Sequence, residues 1–188
     1  MQHTVAQTQT HSSEFILPGD LNSLGYLFGG KLVSWIDKVG AISAIKHTRG
    51  IVVTVSIDNL IFKKPIVNGS ILTVSASVNR AFEHSMEVGV VANNLPPGEE
   101  IPQHVCTAYL TFVALDEKGK PRPIPPVIPE TEEEKRRFDQ ALIRRNHRLL
   151  LADQLGKGNG KGNGNVKGNG NSNSKGNDKG TGAESGKP

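Results

Sequence analysis

The sequence predicts an α+β domain in which one long helix is covered by an antiparallel sheet. Apolar residues recur at helical spacing through residues 29–47. After that segment the apolar pattern switches to alternation, which it keeps in four successive segments. A period of 3.6 residues indicates a helix and a period of 2 a strand with one buried face. One helix followed by a run of strands is the order of an α+β fold.

The first elements in the chain are a strand and the long helix. We expect residues 4–17 to form the first strand, and a polar turn at residues 22–26 leads to the helix over Gly29–His47. The core-facing positions of this helix are Leu32, Trp35, Ile36, Val39 and Ile42.

Four strands follow, at residues 51–57, 72–78, 86–92 and 105–115. Tyr109 and Phe112 lie on opposite faces of the last strand. Turns are predicted at Asn68-Gly69 and at Pro96-Pro97-Gly98. A capping box at residues 131–134 opens a second helix.

The glycine pair that opens the long helix is the first candidate functional feature. Gly29 and Gly30 place free backbone N–H groups at the positive end of the helix dipole. An oxyanion or a polarised carbonyl oxygen binds well at such a position.

Asp37, two turns further along this helix, is the second candidate. Its neighbours one turn away are Val33, Ser34, Gly40 and Ala41, which are small and include no basic partner. Desolvation there would raise the pKa of the carboxyl group, as a general base requires. The alternative is a solvated Asp at the helix edge beside Lys38.

Helix geometry separates the two candidates. At 1.5 Å per residue, Asp37 lies on the order of 10 Å along the axis from the Gly29 and Gly30 amides. If both act on one atom, a second copy of the chain must supply one of them. The spacing therefore favours a composite site at a symmetric dimer interface.

The segment from Asn22 to Asp37 resembles the signature of the hotdog-fold acyl-CoA thioesterases, the acyl-CoA hydrolase family. Later segments resemble the same family and occur in the same order: residues 53–58 with Phe62 and Pro65, then residues 85–88, 112–116 and 119–131. The resemblance covers about residues 5–150 and implies a hotdog fold, a long central helix wrapped by an antiparallel sheet, whose protomers join their sheets.

The resemblance also implies hydrolysis of the acyl-CoA thioester to a free fatty acid and CoA. Asn22 and Asp37 match the catalytic pair of the family, contributed by opposite protomers. We expect Asp37 to activate water, although direct attack on the thioester stays open. Thr54 and Ser85 match positions near the family's site, where each lines the thioester channel or is a strand residue that faces the helix. A homodimer is implied, with a trimer of dimers as a further family expectation.

The C-terminal 33 residues differ in composition from the rest of the chain. Residues 156–188 hold 11 of the 21 glycines and six Lys against Asp178 and Glu184, which accounts for the whole net charge of +4. Such a composition cannot build a core, so we expect a disordered tail after a thioesterase domain at residues 5–152. Without aromatic residues the tail is better explained as a solubilising extension than as a nucleic-acid binder.

Several other residues have ordinary structural explanations. Cys106, the single cysteine, fits a small buried residue better than a nucleophile paired with His104. We expect His47 to cap its helix, and Asp58 to hydrogen-bond at a strand end. The cations Arg144, Arg145, His147 and Arg148 fit the end of a helix dipole. Alternatively, some of them hold the CoA phosphates together with Lys63 or Lys64.

Other functions of this scaffold fit the sequence less well. A 3-hydroxyacyl dehydratase requires a His with a carboxylate, and the motif contains none. A non-catalytic acyl-CoA-binding regulator would lose the base, whereas Asn22 and Asp37 are both present. No metal spacing or phosphate-binding glycine loop occurs, and the implied reaction needs no cofactor. Without a signal or membrane-spanning run, we expect a cytoplasmic protein with no membrane insertion.

Overall fold

The computed structural model of the chain describes residues 3–58 and 60–159, with the backbone alone for residues 156–159. The chain divides into two compact units. The first spans Met1–Leu149. In the second, from Leu150 onward, the described residues are helical. The tail predicted from Gly156 begins within this helix, which runs to Asn159, and residues 160–188 lie outside the described residues.

The described chain contains seven strands and three α-helices. In order they are β1 (His3–Thr4), α1 (Val5–Thr8), β2 (Thr10–Phe15), α2 (Gly29–Thr48), β3 (Ile51–Asp58), β4 (Ile71–Ala81), β5 (Ser85–Leu95), β6 (Gln103–Leu115), β7 (Val127–Ile128) and α3 (Glu132–Asn159). This order confirms the predicted α+β class, with a long helix ahead of a strand meander and a C-terminal helix at the end.

Five strands form one antiparallel sheet in the order β2-β4-β5-β6-β3. β2 and β3 are therefore its edges, and β3 comes directly after the long helix. The short strands β1 and β7 pair in parallel as a separate two-stranded sheet. The edge position of β3 leaves one row of its backbone groups unpaired in the single chain.

The long helix α2 packs against the inner face of this sheet. Its buried apolar residues meet inward-facing residues of the central strands, including Val90 and Phe112. At Gly40 the helix approaches the sheet closely, because a Cβ placed there would lie 3.4 Å from the Phe112 ring. The helix ends at Thr48 and is capped by Arg49, whose φ of 52° is left-handed and whose amide donates to the Ile45 carbonyl at 2.8 Å.

The C-terminal helix α3 covers the outer face of the same sheet. Glu87 on β5 is 1% exposed, and its carboxylate receives two hydrogen bonds from Arg144, at 2.7 and 3.0 Å. Asn79 donates to the same carboxylate at 2.9 Å. The Arg144 guanidinium stacks on Tyr109, 3.6 Å from the ring centroid. A buried charge is therefore paired and hydrogen-bonded where α3 contacts the sheet.

Two local predictions are wrong. The expected first strand over residues 4–17 is instead the helix α1 followed by the shorter strand β2. Thr8 explains the change, because its hydroxyl donates to the Val5 carbonyl and accepts the Val78 amide, which holds a helical turn against β4. His47 does not cap its helix. It is 1% exposed, and its Nε2–H donates to the Pro125 carbonyl at 2.8 Å.

The capping box at the start of α3 is confirmed. The Glu134 amide donates to the Thr131 hydroxyl at 3.2 Å, and the Glu134 carboxylate accepts the Thr131 amide at 3.0 Å. Within the described ranges, no helix has the length and apolar character needed to cross a bilayer.

Candidate active site

Asn22 organises the turn ahead of α2. Its side-chain Oδ1 accepts the amides of Leu24 at 2.9 Å and Tyr26 at 3.2 Å. The turn closes through Gly25, whose φ of 79° a larger residue rarely adopts. Since Oδ1 is used in the turn, the side-chain NH₂ is the group left to act on a ligand. It makes no hydrogen bond within the described residues.

The first two amides of α2 are also free. Gly29 and Gly30 are the first helical residues, and the first amide that bonds within the helix is that of Lys31, to the Phe28 carbonyl. Among the described residues the Gly29 and Gly30 amides have no partner. A Cβ at Gly30 would lie 2.6 Å from the Phe28 ring, so the residue must be glycine for the ring to stay in place.

Asp20 ties the Asn22 turn to the start of α2, a role that the sequence analysis missed. Its buried carboxylate accepts the Leu17 amide at 2.9 Å and forms an ion pair with Lys31. The Lys31 hydrogen bond, followed by that of the Leu17 amide, lowers the pKa of this carboxyl group. The Asp20 carbonyl also accepts the Phe28 amide at 2.9 Å. The signal in the sequence was an acid two residues before Asn22 and a cation directly after the glycine pair.

Asp37 is half-buried and meets Thr54 across the gap between α2 and β3. The Thr54 hydroxyl donates to Oδ1 of Asp37 at 2.6 Å. Within the described residues, no basic side chain pairs with Asp37 and Oδ2 accepts no hydrogen bond. A carboxylate fixed through one oxygen, with the other free, has the geometry of a base that can take a proton from a bound water.

The surface beside Asp37 and Thr54 is apolar and exposed in the single chain. On the edge strand β3, the exposed fractions are 57% for Ile51, 40% for Val53 and 55% for Val55. Ile42 and Ile45 on α2 are each 46% exposed, so the prediction that Ile42 faces the core is also wrong. A long apolar edge of this kind is typical of a surface that is covered by another chain or by a ligand.

Ser85 does not join the other candidates within one chain. Thr54 pairs with Phe112, and Phe112 pairs with Met86, so these three residues share the inner face of the sheet. Ser85 directly precedes Met86 and therefore points to the outer face. The single chain brings Thr54, but not Ser85, to Asp37.

The remaining candidates have structural explanations. Asp58, at the end of β3, accepts the Ser56 hydroxyl at 3.2 Å and pairs with Arg148. Cys106 is fully buried, which raises the pKa of its thiol to about 11. His104 hydrogen-bonds to Thr107 instead. In the described ranges, no three His, Cys, Asp or Glu side chains form a group that could hold a metal ion.

Known proteins resemble this chain in sequence. Residues 24–101 match the family model of the thioesterase superfamily. An uncharacterized acyl-CoA thioester hydrolase of Bacillus subtilis, YkhA, is 43% identical over 135 residues, which cover 71% of this chain and 77% of that protein. Mouse acyl-coenzyme A thioesterase 11 is 39% identical over 148 residues, but this match spans 25% of the mouse protein.

Solved structures agree with the sequence matches. A hexameric acyl-CoA thioesterase superposes with a TM-score of 0.78 at 38% identity, covering 81% of this chain and 97% of that one. An acyl-CoA hydrolase of Staphylococcus aureus, in complex with butyryl-CoA and CoA, gives 0.77 at 35% identity over 86% of this chain and all of that one. The chain belongs to the hotdog-fold acyl-CoA thioester hydrolases of the thioesterase superfamily.

Three variants of the S. aureus hydrolase bear on the site. In these an Asn, an Asp and a Thr are each replaced by Ala, and in chain order the three positions lie 15 and 17 residues apart. Asn22, Asp37 and Thr54 have the same order and the same two spacings. The two residues that meet in this structure, Asp37 and Thr54, thus correspond in spacing to two positions chosen for replacement in that enzyme.

Proposed function

We propose that this protein hydrolyses the thioester of fatty acyl-CoA to a free fatty acid and CoA. The observation that carries the proposal is the Asp37 carboxylate, held by Thr54 through one oxygen and free at the other, in a chain of the acyl-CoA thioester hydrolase family. The activities for which its relatives are named, including the hydrolase solved with CoA, support the same reaction.

In the proposed mechanism Asp37 is the general base. Its free Oδ2 takes a proton from water, and the resulting hydroxide attacks the thioester carbonyl carbon. The Gly29 and Gly30 amides, with the positive end of the α2 dipole, stabilise the oxyanion that forms. The C–S bond then breaks, and CoA leaves as a thiolate, which needs little acid assistance because a free thiol has a pKa of about 8.5. The proton on Asp37 passes to this thiolate or to solvent, which restores the carboxylate.

Asn22 acts in this scheme as a hydrogen-bond donor. Its Oδ1 is occupied by the Leu24 and Tyr26 amides, so the side-chain NH₂ is the group that can orient the water or the thioester. Thr54 fixes the orientation of Asp37 rather than reacting itself. Ser85 remains a candidate only for a channel wall formed with another chain, because its side chain points to the outer face of the sheet.

The active unit in this proposal is a dimer. The Gly29 amide and Asp37 are eight residues apart on one straight helix, or about 12 Å. One chain therefore supplies Asn22 and the glycine amides, and its partner supplies Asp37 and Thr54. The exposed apolar edge of β3 and its neighbours on α2 form the contact surface. The hexameric relatives make a trimer of dimers the natural larger assembly.

We also propose a cytoplasmic location, in line with mouse and human relatives that are named cytosolic acyl-CoA thioester hydrolases. No specific nucleic-acid partner and no bound cofactor is part of the proposal.

Thiol release from acyl-CoAs of graded chain length tests the proposed activity. The wild type should release CoA from at least part of the panel, and Asp37→Asn should not, although it still binds CoA. Binding without release by the wild type would instead favour a non-catalytic acyl-CoA regulator. Full activity of Asp37→Asn would overturn the general-base mechanism.

A further inference from the structure

The charged groups of CoA need cations, and six of the basic side chains in the described chain are already paired with carboxylates. Arg144 is bound to Glu87 and Arg148 to Asp58, so neither is free for a phosphate. Similar carboxylate pairs engage Lys31, Lys135, Arg136 and Arg137. Two of the cations toward the end of α3, Arg144 and Arg148, are therefore already neutralised by carboxylates.

Lys63 and Lys64 are not paired with carboxylates among the described residues. Both are exposed. The Lys64 ammonium group donates only to the neutral amide of Gln103, at 3.0 Å. The Lys63 backbone is fixed by a bond from its amide to the Val105 carbonyl at 2.9 Å, which anchors the segment to β6 while the side chain stays free.

The two lysines line a cleft of about 260 Å³ that also contains Gly29. Tyr26 and Phe62 form apolar parts of its wall, and the Phe62 ring lies close enough to Gly29 that a Cβ there would be 3.2 Å from it. A second cleft of the same volume contains Arg137, but Glu133 and Glu134 line it as well, which makes it unfavourable for an anion.

We propose that Lys63 and Lys64 bind the phosphate groups of CoA. The inference rests on the proposed function, in which the thioester carbonyl lies at the Gly29 and Gly30 amides. From there the pantetheine arm runs along the cleft past Phe62, and the phosphates reach the ammonium groups at its mouth. Ammonium–phosphate contacts of this kind are charge-assisted and weaken as salt is added.

The test compares two substrates that share one acyl group, an acyl-CoA and the matching acyl-pantetheine, which lacks the phosphates. For Lys63→Met/Lys64→Met, the KM for acyl-CoA should rise on the order of 10-fold while kcat stays within about twofold. The KM for acyl-pantetheine should stay unchanged. Lys63→Arg/Lys64→Arg should restore the acyl-CoA KM, and the control Lys118→Met/Lys120→Met, at two exposed lysines that do not line the cleft, should match the wild type on both substrates.

An unchanged acyl-CoA KM in the methionine variant would overturn the proposal, and so would an equal rise for both substrates. A wild type that hydrolyses neither substrate would refute the proposed function itself. In that case the affinity of CoA for the wild type and for the methionine variant, measured by calorimetry, decides separately whether the lysines bind phosphate.

Discussion

Thr54 on β3 donates its hydroxyl hydrogen to Oδ1 of Asp37 on α2 at 2.6 Å. The bond joins an edge strand to the central helix at the proposed catalytic carboxylate. It leaves Oδ2 as the oxygen that can accept a proton from water. Thr54 thus determines which oxygen of Asp37 is available for chemistry.

Replacing the Thr54 hydroxyl should slow catalysis without weakening substrate binding. Thr54→Val preserves the shape of the side chain, but it loses a hydrogen bond to a charged group, which contributes about 1.5–3 kcal/mol. We expect kcat to fall about 10- to 100-fold with KM within about twofold. Thr54→Ser, which keeps the hydroxyl, is the control and should retain most activity. A Val variant as fast as the Ser variant would mean that the bond has no catalytic role.

A site shared between chains should be rebuilt by mixing two inactive variants. Asn22→Asp keeps the acceptor oxygen for the Leu24 and Tyr26 amides and removes only the NH₂ donor, so the turn is preserved. When Asn22→Asp chains exchange one to one with Asp37→Ala chains, half of the dimers are mixed. Each mixed dimer holds one intact site. About a quarter of the wild-type activity should return. Verified subunit exchange with no recovery would contradict the shared site.

Breaking the buried Glu87–Arg144 pair should strongly destabilise the protein. Arg144→Met leaves the Glu87 charge buried with only Asn79 as a partner, and we expect the free energy of unfolding to fall by about 3–5 kcal/mol. The control is Arg145→Met, because Arg145 stacks on Phe82 and should cost about 1 kcal/mol or less. Urea unfolding at one fixed protein concentration measures both. Equal losses in the two variants would rule out a special role for the pair.

His47 should make the protein less stable in mild acid. Burial lowers the pKa of its imidazole from 6.5, although the hydrogen bond to Pro125 partly opposes the shift. The unfolded chain therefore binds a proton near pH 6.5 that the folded chain resists. The stability is complete above pH 6.5 and is lost as the pH falls below it, by at most about 1.4 kcal/mol per pH unit.

The stability of His47→Gln should depend less on pH between 7.5 and 5.5 than that of the wild type. The difference in slope corresponds to the uptake of up to one proton on unfolding. His147→Gln, at an exposed position on α3, is the matched control and should keep the wild-type slope. Urea unfolding across this pH range gives both slopes. Identical slopes for all three proteins would show that His47 is not the group responsible.

Cys106 should be unreactive in the folded protein. With the pKa of its thiol raised to about 11, only about one molecule in a thousand is a thiolate at pH 8, and the side chain is fully buried. A disulfide reagent should label it in urea but only very slowly in buffer, with no loss of hydrolysis. Rapid labelling of the native enzyme together with inactivation would revive the role of Cys106 as a nucleophile.

The sequence predicted the parts of the fold that depend on local periodicity. The α2 helix begins at Gly29 as predicted and ends at Thr48, one residue later than predicted. Its bounds could be predicted closely because its apolar residues recur at helical spacing. The N-terminal segment was misassigned because Thr8 holds a helical turn by bonding to Val78, 70 residues away. A contact between residues so far apart in the chain does not alter the local apolar pattern, so that pattern could not predict it.

In the candidate site, too, the features that depend on local sequence were predictable and those that depend on distant contacts were not. The candidate residues Asn22, Gly29, Gly30 and Asp37 come from one continuous motif, whereas the pairing of Asp37 with Thr54 depends on the position of β3 at the sheet edge. The outward direction of the Ser85 side chain could have been predicted from the sequence. The alternation that places Met86 inside already places Ser85 on the other face. Asp20 escaped notice because its partner Lys31 is 11 residues away, across a turn.

The unpaired edge of β3 has a consequence for how activity depends on the amount of protein. In the proposed dimer, a newly synthesised chain carries one half of each of two sites and hydrolyses nothing by itself. When chains are scarce, the number of complete sites rises with the square of the chain concentration. Expression level would then act as a threshold, so that a cell doubling its supply of this chain gains up to four times the hydrolysis.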